Sequence, residues 1–219
     1  MLRRITVFLL AITRPAAAQL VGASVGQVSA TVDWQYPRPP ANCNFCIVDA
    51  SPNASRESLA PAVMWHAGAG RSIGFVTEAR YTLKGYATTQ PTLNVHYLEI
   101  PTLLRLGAIS TSTFPVHPFF EIGPALAVRL HCQVDYNRTS DPCERGAAFG
   151  QDWRIRSFDV SGIVGAGLAL RVGDDVALAG ARYDYGFVNI GSGSSGVPTK
   201  NRSSLIYVGW LWQFHRRAH

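Results

Sequence analysis

Eleven ionisable residues in this chain recur at positions that point to one chemical arrangement. They are Glu78, Arg80, Lys84, Glu99, Arg105, Glu121, Arg129, Asp159, Arg171, Arg182 and Asp184. Arginine and carboxylate in near balance form forked, charge-assisted hydrogen bonds, and water-poor settings strengthen those bonds. A nucleophile with a base beside it is the other chemistry to look for. The histidines are His66, His96, His117, His131, His215 and His219. Neither His66 nor His96, the two on or near strands that could carry such a pair, lies at a spacing that puts a serine and an acidic orienter on one face with it. A Glu99–Glu121 pair has arginines close by, which gives it an ordinary structural role. The run Gly191–Gly196 is glycine-rich but carries no lysine and opens no helix, so it does not read as a phosphate cradle. No catalytic, cofactor-binding or metal-binding residues are expected.

The cysteines fall as Cys43 and Cys46, and as Cys132 and Cys143, each pair inside a polar segment. In an oxidising compartment they are disulfide candidates, and four cysteines allow three pairings. A four-thiolate zinc site would need ligands kept reduced. Export is expected from the N-terminus. Arg3 and Arg4 precede an apolar stretch from Ile5 to Ile12, and Ala16, Ala17 and Ala18 follow as a small-residue cleavage signal. Residues 1–18 therefore read as a signal peptide, 19–214 as the functional domain and 215–219 as a basic tail.

The elements that carry the charged residues are strands. No segment sustains an apolar helical repeat, and no uninterrupted apolar run reaches the length of a spanning helix. Period-two alternation instead predicts strands near 20–34, 61–71, 73–85, 94–107, 117–131, 155–172, 175–188 and 202–214. Short turns at Arg71–Ser72 and Gly173–Asp175 contrast with longer segments at 35–60, 86–93, 132–154 and 189–201. Side chains alternate between the two faces of a strand. In 73–84 one parity holds Ile73, Phe75, Tyr81 and Leu83, while the other holds Glu78, Arg80 and Lys84. The same segregation separates Leu98, Ile100 and Leu104 from Glu99 and Arg105. It separates Phe120, Ile122 and Leu126 from Glu121 and Arg129, and Val160, Val164 and Leu168 from Asp159 and Arg171. In 177–187 it sets Tyr183, Tyr185 and Phe187 apart from Arg182 and Asp184.

A soluble lipocalin-type barrel and a membrane barrel both produce this pattern, with opposite faces inward. Aromatics on the apolar parity near strand ends (Tyr183, Tyr185, Phe187, Trp210, Trp212, Phe214) suit interfacial girdles. Small residues on the charged parity (Gly123, Ala125, Gly165, Gly167) suit a crowded interior. The expected fold is all-β, an eight-stranded antiparallel up-and-down transmembrane barrel with the eleven charges in its lumen. Eight strands enclose only enough room for side chains, so the lumen reads as filled; a narrow channel for ions or small solutes is the alternative. Net charge is +6, but the excess sits largely at the two ends, and no basic stripe interleaved with aromatics marks a nucleic-acid binder.

Several segments together resemble the bacterial outer-membrane β-barrel domain family of small porin-like proteins. They are Tyr97–Pro101 with Leu103–Leu106, Pro118–Ala125, Arg182–Gly186 with Asn189 and Ile190, and a last strand ending Trp212, Gln213, Phe214. The resemblance covers roughly 60–214, with 20–34 as the first strand. It implies an integral protein of the Gram-negative cell outer membrane, in contact with outer-membrane lipid and inserted by the barrel-assembly machinery. It implies no enzymatic activity and no cofactor, and a monomer is expected. Two features depart from the family pattern: the tail after Phe214, where such barrels end on the aromatic, and the cysteine-bearing segments.

Overall fold

A computed structural model describes residues 18–34, 55–69, 72–87, 92–107, 115–136, 139–143, 154–192 and 199–213. Eleven strands follow in chain order: β1 (Ala18–Trp34), β2 (Arg56–Ala69), β3 (Ile73–Ala87), β4 (Thr92–Leu106), β5 (Val116–Tyr136), β6 (Thr139–Pro142), β7 (Arg154–Ile155), β8 (Phe158–Val172), β9 (Asp175–Gly186), β10 (Gly191–Ser192) and β11 (Thr199–Gln213). Eight are long. They pair in the order β4-β3-β2-β1-β11-β9-β8-β5, and β4 pairs with β5 to close the ring. Every pairing is antiparallel. Closure leaves the barrel without a free edge, which a lipid environment demands of a sheet. Among the described residues no helix is long and apolar enough to cross a membrane.

The connections alternate between the two ends of the barrel. β2–β3, β4–β5 and β8–β9 join at one end, the last through Gly173 and Asp174, with Gly173 at φ +65° where a side chain would be strained. The longer β1–β2, β5–β8 and β9–β11 connections lie at the other end, together with the brief β3–β4 connection, 88–91. There β6 folds back on β5, and β7 pairs with β10 as a small ribbon.

The side-chain orientation is that of a soluble protein turned inside out. Ile206 is 71% exposed and Phe120 64%, while Arg80 is 1% and Glu99 0% exposed. Burying arginine while leaving isoleucine outside is stable only where lipid covers the outer face, because apolar surface then costs nothing and the charges inside can pair. This arrangement rules out the lipocalin-type reading. The interior also has apolar layers. Leu20, Phe119, Ala169, Val176, Leu178 and Leu211 cluster toward the short-turn end. Leu93, Val95, Val134, Ile155 and Ile190 cluster at the long-loop end.

One irregularity redirects a strand. The β4–β5 register shifts between His96 and Tyr97, so that His96 faces His131 and Tyr97 faces Arg129, with Leu130 as the extra residue. Before the bulge the odd residues of β5 point inward. After it, Cys132 and Val134 are the buried ones and His131 is exposed.

Candidate functional site: the charged lumen

The alternating strands deliver their charged parity to the barrel axis, where it resolves into two groups of four. Nearer the short turns are Glu78 from β3, Arg105 from β4, Glu121 from β5 and Arg182 from β9. Arg182 grips Glu78 with both terminal nitrogens, Nη1 to Oε2 and Nη2 to Oε1, each at 2.7 Å. Its Nε donates to Glu121 Oε2 at 2.7 Å. Arg105 donates to the other oxygen of Glu121 through Nη2 at 2.6 Å and Nε at 2.9 Å. Two aromatic faces cover these guanidinium groups: Tyr207 lies 4.4 Å from the Arg182 carbon, and Phe119 lies 4.3 Å from that of Arg105. The Tyr207 hydroxyl also donates to Glu121 Oε2 at 3.2 Å.

Nearer the long loops are Arg80 and Lys84 from β3, Glu99 from β4 and Asp184 from β9. Arg80 donates to Glu99 Oε2 through Nε at 3.0 Å and Nη2 at 2.8 Å, and to Asp184 Oδ2 at 3.0 Å. Lys84 pairs with Glu99 Oε1 and stands 3.8 Å from Asp184. Ser203 donates to Asp184 Oδ2 at 3.2 Å. Above this group, Asn201 donates to Asp159 Oδ2 at 2.7 Å. Each group of four carries two positive and two negative charges, so each is neutral by itself. That is the condition under which charges remain ionised in a water-poor interior.

Nine of the eleven predicted residues are thus buried in the lumen. Arg129 is half-buried beside the bulge, where its backbone N–H bonds the Ser157 carbonyl at 2.8 Å. Arg171 requires a correction. It is exposed at the short-turn end, and its Nε donates to the Gly173 carbonyl at 3.1 Å, because β8 ends there and the side chain curls onto the turn. Sequence reasoning missed Tyr207, Ser203 and Asn201, which complete the network from β11. That strand carries no charge in its central stretch, so the parity test had nothing to register there.

The remaining predicted residues also have places. Cys132 and Cys143 form a disulfide with Cα atoms 5.5 Å apart, tying β5 to the residue after β6. Cys43 and Cys46 lie outside the described residues, as does Phe214. Tyr183, Phe187 and Trp212 are exposed on the outer face. Trp210 is half-buried, and its Nε1 donates to Asp175 Oδ2 at 3.1 Å. His66 is buried against the wall of the lumen. Among the described residues no group of three or more His, Cys, Asp or Glu gathers as a metal centre would.

A closed ring of eight long antiparallel strands, apolar outside and charged within, defines a membrane β-barrel of the outer-membrane type. Comparison with known proteins agrees. The family model for the outer membrane protein beta-barrel domain matches residues 63–191, more than half of the chain, and the protein belongs to that family. Its place is the cell outer membrane. Among solved structures it is similar to Neisserial surface protein A, with 15% identity, a TM-score of 0.51, and 91% of this chain and 99% of that one covered. It is also similar to the outer membrane protein OprG from Pseudomonas aeruginosa, with 12% identity, a TM-score of 0.50, and 91% and 97% covered. At these identities the likeness shows the fold alone. No curated protein matches the sequence significantly.

Proposed function

We propose that this protein is a non-enzymatic, non-conducting post in the outer membrane, whose filled barrel holds the β6 hairpin, the β7–β10 ribbon and their adjoining segments at the cell surface. The observation that carries the reading is the lumen: two neutral groups of four charges, bounded by apolar side chains toward both ends. An ion entering the column meets four carboxylate groups that each already accept from two or more donors, so it has to break charge-assisted bonds to advance. In this reading residues 1–18 direct export, the mature chain begins near Gln19, the barrel-assembly machinery inserts it, and it works as a monomer with the long loops facing outward. The cysteine-tied hairpin is the rigid part of that outer surface.

A second reading is a narrow ion path, favoured by the continuity of charged side chains from Glu78 through Asp184 to Asp159. Single-channel recording of the refolded protein in a planar bilayer separates the two. A filled post gives a silent bilayer; discrete, salt-dependent conductance steps establish the channel instead.

A further inference from the structure

The β-bulge at Leu130 does more than turn Cys132 inward. It places the His131 ring on the outer wall directly across from His96, with ring centroids 5.6 Å apart. His96 is half-buried and His131 exposed. Each ring is oriented by a polar neighbour. The Tyr81 hydroxyl, reaching from β3, bonds His96 Nδ1. Gln133 Oε1 lies 3.3 Å from His131 Nε2. Gln133 is itself anchored, because its amide donates to Asp135 Oδ1 at 2.9 Å, and Asn94 holds the other oxygen of Asp135 at 2.8 Å. Below this polar chain the outer wall is apolar: Leu98, Ile100, Leu126, Val128 and Leu130 are all exposed to the membrane side. The two imidazoles therefore sit where the apolar belt gives way to the polar end of the strands, open to ions from outside.

We propose that His96 and His131 form a binding site for one divalent transition-metal ion, with Cu²⁺ or Zn²⁺ as the matching ions. Imidazole suits these ions, and hard oxygen-seeking cations are disfavoured. A metal bonded to a ring nitrogen at about 2.0–2.1 Å lies roughly 3.2 Å from that ring's centre. Two rings sharing one ion therefore stand at most about 6.4 Å apart by the same bond length, and 5.6 Å falls within that limit. The neighbours act as outer-shell partners. Gln133 accepts from Nε2–H and frees Nδ1 of His131 as a ligand; the Tyr81 oxygen accepts from Nδ1–H and frees Nε2 of His96. Water completes the coordination. The site is a property of the outer wall and is independent of whether the lumen conducts.

The test uses the refolded full chain in detergent or nanodiscs, titrated with CuCl₂ and separately with ZnCl₂, with folding of each variant checked by heat-modifiable gel mobility. Saturable binding of one ion per barrel is expected, and the Cu²⁺ paramagnetic resonance spectrum should show two coordinating imidazole nitrogens. His96→Ala and His131→Ala should each weaken binding at least about tenfold, since losing a ligand costs no less than losing an outer-shell partner. The paired His215→Ala, His219→Ala variant should bind as the parent does. Absence of saturable binding overturns the proposal. So does binding that survives in the His96→Ala, His131→Ala double variant, or binding that disappears with the tail histidines.

Discussion

Replacing Arg182 with alanine is the most informative perturbation of the lumen. The change deletes three short charge-assisted contacts, two to Glu78 and one to Glu121, together with the Tyr207 stacking. The damage is uneven. Glu121 keeps both of its bonds from Arg105, whereas Glu78 loses the bidentate grip that compensated its buried charge. Stranding one member of a buried ion pair costs about 3–5 kcal/mol. At about 4 kcal/mol, the folded-to-unfolded ratio falls by nearly a thousandfold. Urea titration of the refolded barrel, followed by tryptophan fluorescence and heat-modifiable mobility, measures the loss. The Glu78→Gln, Arg182→Met double variant removes both charges and leaves the Arg105–Glu121 pair neutral. It should recover at least about half of the deficit, because the penalty lies in the stranded charge and not in the bonds themselves. A single-variant loss below about 1 kcal/mol, or a double variant as unstable as the single, would refute the account of the lumen as mutually compensated charges.

Other regions give sharper local outcomes. A Cβ at Gly167 would lie 2.4 Å from the Ala179 carbonyl oxygen and 2.5 Å from Phe119 Cζ. Gly167→Ala should therefore lower stability by about 1–3 kcal/mol, read as a lower urea midpoint. Cys132→Ser opens the disulfide to Cys143 and should speed protease cleavage between β5 and β8 while leaving a protected barrel core on the gel. The β2–β3 ladder pairs only Ala62–Ala67 with Phe75–Arg80; beyond Pro61, which has no N–H, Ser58 Oγ bonds the Leu83 carbonyl at 3.1 Å in its place. Amide exchange followed by NMR should find the alternate amides of 81–87 that point toward β2 less protected than those of 75–80.

The fold was largely legible because strand geometry has a strict two-fold periodicity, and charge placed on one parity survives any uncertainty about strand ends. That is why β3, β4, β8 and β9 lie within a few residues of their expected bounds. The bulge was not legible. Inserting Leu130 reverses the parity of everything after it, so the alternation appeared to stop at 131 when β5 in fact runs on to Tyr136. The strands Thr139–Pro142, Arg154–Ile155 and Gly191–Ser192 were missed for a different reason. They are two to four residues long, too short to show a period, and contacts beyond the strand itself hold them, among them the Cys132–Cys143 bond and the Arg156 N–H to Ile190 carbonyl bond at 2.8 Å. Which arginine meets which carboxylate was also out of reach, because it depends on the stagger between strands far apart in sequence. Arg182 and Glu78 are 104 residues apart.

The grouping of the charges matters more to function than their number. A list read from the sequence gives a lumen with a slight positive excess, which would suit a weakly anion-attracting path. Arg171 leaves that list for the turn. Arg80, Lys84, Arg105 and Arg182 then meet Glu78, Glu99, Glu121 and Asp184 as two closed sets. A ladder of like charges at intervals would hand an ion from one site to the next. Closed sets do the opposite: Glu99, Glu121 and Asp184 are each held by more than one residue, Glu78 is gripped by both terminal nitrogens of Arg182, and an aromatic face covers the guanidinium groups of Arg105 and Arg182. To displace one member is to strand its partner, at about 3–5 kcal/mol each time. The apolar layer of Leu20, Phe119, Val176 and Leu211 narrows the polar contacts an ion could make toward the short-turn end. On the proposed reading, the same pairing that keeps the charges stable in the interior is what keeps the barrel shut.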